Sequence, residues 1–259
     1  MPVPSPQSVA DRATGTAQLR TRVRPVSLAC HHLLPVPEPI ADLFPAGGLQ
    51  QGSSVGFRGP GGHALALALA ASALGTTGWM AAVGAEDVGW VAAAELGVPL
   101  ERLLVVSSAS ASHHPTVLAA LVETMDVILL GPGPPVGHRN ARRITARIRE
   151  RGTVMFHLDG GRGWPDPLDL VCTTADPRWE GVGVGHGHLR HRWLSVGLEG
   201  RRAPGRVRPV TVGLPGPGGG LTPADPAHQH QQADRAPVPP GSADRSRPRP
   251  AGDRLARTG

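Results

Sequence analysis

The residues best placed to do chemistry lie in one stretch, "SSVGFRGPGGHALALALAASAL", residues 53–74. A short apolar run leads into a Gly-rich turn and then an apolar helix, the layout of a phosphate-binding loop. Such a loop works because backbone N–H groups and a helix N-terminus face the phosphates. A Lys places a point charge on the β- and γ-phosphates, and a Ser/Thr hydroxyl holds Mg²⁺. Gly56 and Gly61 have the G-x-x-x-x-G separation, and Gly59 and Gly62 complete the turn. Gly62 and His63 stand where the Lys and the hydroxyl belong, and no shift of register helps because the chain contains no Lys. Arg58 lies on the strand side of the turn, and its planar fork does not replace a compact ammonium. Two readings fit these residues, a vestigial nucleotide loop or a tight glycine turn from strand to helix. The missing cation favours the turn.

Other constellations carry less. Histidines cluster at 31–32, 113–114, 186–191 and 228–230. Strand alternation puts His186 and His188 on one face, but a zinc site needs further ligands and no Cys is near. Polar positions on an exposed strand are the plainer reading, and no metal site is expected. Nothing resembles a nucleophile on a strand-to-helix elbow. Glu86 and Asp87 are adjacent and point apart rather than forming an acid–base pair. The stretch "HRNARRITARIRERG" (138–152) reads as a helix with Ile144 and Ile148 facing the core. Arg139, Arg143 and Arg147 recur on it at i, i+4 and i+8, one stripe. That stripe would neutralise phosphates, or it is a solvated face in a chain that uses only Arg. Few aromatics are available to stack bases: three Phe, five Trp and no Tyr.

The elements that must position these residues alternate along the middle of the chain. Strands are expected at 54–58, 79–85, 102–108, 126–131, 153–159 and 169–175, with an antiparallel pair in 182–198. Helices are expected at 63–74, 89–97, 115–125 and 138–152. Alternating strands and helices imply parallel pairing with right-handed crossovers. Strands that read as continuous apolar runs are buried on both faces. The fold class is therefore α/β, a mostly parallel sheet with helices on both faces and antiparallel strands near the C-terminal end.

Charge and composition set the limits. Residues 1–200 balance 16 Arg against 16 acidic side chains, whereas residues 201–259 carry ten Arg and four Asp. That excess of six equals the whole formal net charge of +6, so basicity alone says nothing of nucleic acid binding by the folded part. Two Cys without a CxxC pair fit a reducing cytosol. Residues 1–24 lack an apolar core and read as a mobile N-terminal arm, not a signal peptide. The apolar run 63–85 is interrupted by Gly75–Gly78 and reads as helix, turn and strand rather than a membrane span. The domain is expected at 25–202. Residues 203–259, with 11 Pro and 9 Gly, read as a disordered tail. Arg201, Arg202, Arg206 and Arg208, in "GRRAPGRVRP", would meet an acidic partner or nucleic acid, or simply solvate a linker.

The segment "AGGLQQGSSVGFRGPGG" (46–62) resembles the approach to the phosphate loop of RecA recombinases, and "GAEDVGWVAAAELGVPLERLLVVSS" (84–108) is a stronger match. The resemblance places Glu86 at the family's water-activating glutamate, vestigial here, and Gly131 of "MDVILLGPGP" at the Mg²⁺-supporting aspartate. It covers roughly residues 40–200 and implies a RecA-like P-loop-type core with degenerate motifs. Such a core, with an Arg-rich composition and a C-terminal extension, resembles the ImuA-type accessory proteins of actinobacteria. That resemblance implies a non-catalytic accessory of damage-induced (SOS) translesion DNA synthesis. It would bind an ImuB-like protein and an error-prone polymerase assembly, with weak DNA contact, no membrane and no cofactor, in the cytoplasm and on the nucleoid when engaged. An active RecA-superfamily ATPase using ATP and Mg²⁺ is the alternative, and a SulA-like cell-division inhibitor, another degenerate RecA relative, is a third.

Overall fold

The computed structural model describes residues 33–107, 110–183, 186–205, 207–217 and 219–224. The expected arm at 1–24 and the tail from residue 225 lie outside them. The chain divides after Pro223 into two units, and the first holds all the elements below.

It opens with a two-stranded ladder, β1 (Leu33–Leu34) against β2 (Leu49–Gln50). Then follow β3 (Ser54–Arg58), α1 (Gly62–Leu74), β4 (Met80–Val83), α2 (Trp90–Glu95) and β5 (Leu103–Val106). The chain continues through α3 (His114–Val122), β6 (Val127–Leu130), α4 (His138–Arg151) and β7 (Val154–His157). Last come β8 (Leu170–Gly183), β9 (His186–Glu199), β10 (Val210–Gly213) and β11 (Thr222–Pro223). The large sheet has the order β11-β10-β9-β8-β3-β7-β6-β4-β5. All pairings from β8 to β5 are parallel and all from β8 to β11 antiparallel. The α/β class and the mixed sheet are thus as the sequence predicts.

Every residue of β4, β6 and β7 is buried, which is why these strands read as unbroken apolar runs. Their alternating side chains feed two cores. Val127, Leu129 and Phe156 join Leu65 and Leu69 of α1 on one face. Ile128, Leu130 and Met155 join Leu118 of α3 and Ile144 and Ile148 of α4 on the other. The chain advances across the sheet from β3 to β4 and β5, then reverses to lay down β6 and β7. A fixed right-handed crossover sends helices to opposite faces when the direction reverses. Helix α1 is small and apolar on nearly every side, Leu65 to Ala70 all being buried, as a helix fully enclosed in the core must be. Helix α4 instead buries Ala141, Ile144, Thr145 and Ile148 and ends at Gly152 in the left-handed region, φ 77°.

The C-terminal half departs from the expectation. The pair expected within 182–198 is not a hairpin of its own. Strand β8 runs on past residue 175 and pairs with β9 from Val171↔Glu199 to Gly183↔His186. Register shifts between Ala175 and Arg178 and between Glu180 and Val182 absorb the irregularity, so Pro177 interrupts the apolar pattern without ending the strand. The boundary at residue 202 also moves. Val210↔Val196 to Gly213↔Trp193 add β10 to the sheet, and Val212 and Leu214 are fully buried. Period-two spacing of Val210, Val212 and Leu214 signals this strand; the surrounding Pro and Gly obscure it.

A buried carboxylate joins these parts. Asp169, just before β8, accepts hydrogen bonds at Oδ2 from the Ser54 backbone N–H and hydroxyl, both at 3.1 Å. Its Oδ1 faces Arg149 of α4 at 3.9 Å, Arg201 at 3.4 Å and Arg202 at 3.3 Å.

Two stability tests follow. A chain ending at residue 202 exposes the β9 edge and loses Val212 and Leu214, roughly 3–6 kcal/mol of apolar burial. Its urea midpoint should fall well below that of a chain ending at residue 224; equal midpoints would show that β10 adds nothing. Asp169→Ala leaves the buried Ser54 N–H and hydroxyl unpaired, whereas its three part-exposed Arg partners turn to water, and should cost about 1–3 kcal/mol, read by the same denaturation.

Candidate functional site

The Gly-rich segment folds more tightly than a phosphate cradle. Strand β3 runs through Gly56 as far as Arg58, held by Phe57↔Cys172 and Arg58↔Thr173. Gly56 is therefore a strand residue, and its G-x-x-x-x-G spacing to Gly61 is not the span of a loop. A Cβ at Gly56 would lie 2.6 Å from Leu168 Cδ1. Only Gly59, Pro60 and Gly61 connect β3 to α1. The Gly62 N–H donates to Gly59 O at 3.2 Å, so one amide that a cradle would turn toward phosphate closes a turn instead. Gly59 has φ 93°, and a Cβ there would meet Thr174 O at 2.0 Å: glycine is required because β8 passes directly against the turn. Gly61 has φ 82° and lies under Arg192, whose Cζ would stand 2.9 Å from its Cβ.

A cation reaches this turn from a distant part of the chain, Arg192 at Gly61, whereas the Arg58 guanidinium is engaged at Gly160, after β7. Arg58 donates to Gly160 O through Nη2 at 3.0 Å and Nε at 3.3 Å. Arg192 of β9 donates from Nε to Leu214 O at 2.9 Å and sits 5.1 Å from the centroid of the Trp179 ring. Burial lowers the Arg192 pKa from its ordinary value. His63, in the first turn of α1, places Nε2 3.2 Å from Leu158 O; with a carbonyl as acceptor, Nε2 carries the proton. The position where a Mg²⁺-binding hydroxyl belongs is committed to a backbone contact.

The other motif positions are apart or closed. Glu86 is exposed in the turn after β4, and β6 and β7 stand between β4 and β3. Gly131 follows β6, where a Cβ would fall 1.9 Å from Gly84 O. No carboxylate-bearing residue fits there without moving the backbone. Gly62 differs: a Cβ would meet Phe57 at an ordinary 3.6 Å, so a side chain is sterically admissible.

The basic positions separate into engaged and open. Arg201 and Arg202 belong to the Asp169 cluster, and Arg202 also donates to Gln50 Oε1 at 2.7 Å. Their expected role as partner contacts competes with this structural one. Arg208 is exposed, and Arg206 lies outside the described residues. On α4, Arg147 and Arg151 pair with Glu123, Arg142 with Asp166 and Arg149 with Asp169. Among the described residues, Arg139 and Arg143 have no ion pair. Arg143 and Arg147 line a groove between α3 and α4 of about 260 Å³. His186 and His188 are exposed on β9, and no group of three or more potential metal-binding side chains occurs among the described residues. No helix among them is long and apolar enough to cross a membrane.

Two histidines are buried; His114 belongs to the cluster at 113–114, and His157 went unnoticed in the sequence. His157 ends β7 and His114 begins α3; both line a small cleft with Asp159, Arg162 and Trp164. His157 packs on Trp164 with ring centroids 5.1 Å apart. His157 Nε2 and His114 Nδ1 have no hydrogen-bond partner among the described protein groups. Burial pushes the His157 pKa down to about 3 and lowers that of His114. The signal for His157 was its place at the end of "TVMF", where a strand buried on both faces leaves no exposed side.

Comparison with known proteins adds a family. Residues 42–166 match the pattern of the MT3502 N-terminal domain. The chain is 33% identical over 148 residues to the uncharacterized protein Rv3395c of Mycobacterium tuberculosis (strain ATCC 25618 / H37Rv), covering 56% of this chain and 72% of that protein.

The cleft predicts a pH dependence. In the window between the ordinary value of 6.5 and about 3, the unfolded chain takes up a proton at position 157 and the folded chain does not. Stability therefore falls as pH drops through this window, at up to about 1.4 kcal/mol per pH unit from this group. His157→Asn should flatten the slope of unfolding free energy between pH 6.5 and 4.5; an unchanged slope would exclude His157 as its source. Burial also pushes the Cys172 thiol up to about 12, so a maleimide reagent should label it only after denaturant is added.

Proposed function

The chain belongs to the MT3502 N-terminal domain family, and we propose that it acts as a non-catalytic accessory of damage-induced translesion DNA synthesis. It works by binding: its folded surfaces dock an ImuB-like protein within an error-prone polymerase assembly. The resemblance of residues 46–62 and 84–108 to the RecA core, with the loss of Lys, hydroxyl and carboxylate, supports this reading. The observation that carries it is the contact of Gly131 with Gly84. A backbone oxygen stands 1.9 Å from where a Cβ would be, so the Mg²⁺-supporting carboxylate of the RecA pattern is excluded by packing as well as by sequence. The closed turn at Gly59–Gly62 points the same way, since an amide turned inward does not bind phosphate.

One observation favours the ATPase reading. Arg192 brings a guanidinium group to Gly61 of the Gly-rich turn, and Arg is a good partner for phosphate. The two readings differ in calorimetry. On the accessory reading, the full chain takes up no Mg²⁺–ATP at concentrations up to the millimolar range, and Arg192→Ala changes nothing. Saturable binding at micromolar concentration, lost in Arg192→Ala, would establish the nucleotide reading instead.

The docking role is tested by capture. Tagged full-length chain from DNA-damaged cells should recover an ImuB-like protein and a replicative-type polymerase, whereas undamaged cells give little. Recovery of neither from damaged cells, by a chain shown to be folded, would end the proposal.

A further inference from the structure

We propose that the groove between α3 and α4 binds a short acidic segment of a partner protein, with its carboxylates on Arg143 and Arg147 and an adjoining apolar side chain on the floor between them. The proposal rests on the docking role above and gives it a place and a ligand chemistry.

The groove of about 260 Å³ combines two kinds of surface. Ile144, Ala119 and Pro115 offer apolar contact, while Arg143, Arg147 and Asn140 offer donors. Ser112 and Thr116 add hydroxyls to the wall, so the groove is a polar, cationic hollow with a small apolar floor. The guanidinium forks match carboxylates in shape and charge.

The ion pairs of α4 show which cations remain for a ligand. Arg142, Arg149 and Arg151 lie opposite carboxylates of this chain. Arg147 shares Glu123 with Arg151, which is the nearer of the two. Arg139 and Arg143 have no such partner among the described residues, although they stand one turn apart, where like charges repel along a helix. Of these two only Arg143 lines the groove, and an acidic ligand there would compensate it.

The occupant is a peptide rather than nucleic acid. No aromatic side chain lines the groove, so bases find nothing to stack on. Its donors would suit a phosphate as well as a carboxylate, but Ile144, Ala119 and Pro115 match a peptide, which carries carboxylates and apolar side chains together. Nor does the occupant come from this chain's ends. Residues 201–259 hold ten Arg against four Asp, and residues 1–32 hold four Arg against one Asp. Both segments share the sign of the groove.

The test uses the full chain and fluorescence anisotropy. The probe is a fluorescein-labelled hexapeptide of alternating Glu and Leu; the comparison probes are its Gln/Leu counterpart, a single-stranded oligothymidylate and a DNA duplex. The Glu/Leu peptide should bind saturably and at least tenfold more tightly than the Gln/Leu peptide. Arg143→Ala and the groove-filling Ala119→Trp should each weaken it at least tenfold. Arg190→Ala, on the β8–β9 hairpin, should leave it unchanged. Circular dichroism and melting temperature show that the variants are folded, and hydrogen exchange should slow in α3 and α4 when peptide is added. Absence of peptide binding, or binding indifferent to Arg143→Ala, overturns the proposal. DNA binding lost in Arg143→Ala without peptide binding would give the groove to nucleic acid and also overturn it. If the peptide fails while the polymerase assembly is still captured, only the groove is wrong; if capture fails while the peptide binds as expected, the translesion role is wrong and the groove stands.

Discussion

Asp169 holds this fold in register. Its carboxylate is almost wholly out of water and faces Arg149, Arg201 and Arg202, while the Ser54 N–H and hydroxyl take up its second oxygen. A buried charge is tolerable only when such partners surround it. Here they come from β3, the end of α4 and the turn after β9, so one group ties the parallel sheet to the helix on its face and to the antiparallel extension. Fixing the start of β8 against the start of β3 also fixes what lies at their far ends. Thr174 then reaches Gly59, and the hairpin partner β9 brings Arg192 over Gly61.

That placement governs the chemistry of the Gly-rich turn. A phosphate loop needs open space above its amides and a mobile cation beside them. In this chain β8 closes on one glycine, a guanidinium covers another, and the His63 ring is spent on Leu158 O. The Gly131–Gly84 contact removes the room for a metal-supporting side chain. These features are mutually consistent: at Gly59, Gly61 and Gly131 the backbone is packed too closely to admit a side chain without movement.

The arginines illustrate how composition misleads without geometry. A chain that uses only Arg for its positive charge looks basic wherever it is solvated. Once the ion pairs are drawn, Arg149, Arg201 and Arg202 are structural and Arg142 and Arg151 are matched, leaving Arg139 and Arg143 uncompensated among the described α4 positions. The stripe that helical spacing predicts at 139, 143 and 147 is real as a pattern, but only the packing of α3 beside α4 turns part of it into the wall of a groove.

What the sequence determined by itself was local and periodic. Unbroken apolar runs marked β4, β6 and β7 because both faces of those strands are covered, and Ile144 and Ile148 marked the inner side of α4 because helix spacing brings them together. The absence of Lys was equally plain, being a fact of composition. Tertiary structure decided everything that depends on residues far apart in the chain: the pairing of β8 with β9, the addition of β10 from a Pro- and Gly-rich stretch, the burial of His157, and the arrival of Arg192 at Gly61. The physical reason is the range of the forces concerned. Periodicity reflects neighbours within a turn or a pleat, whereas a ladder, an ion pair or a close backbone contact joins segments whose separation in sequence carries no information about their separation in space.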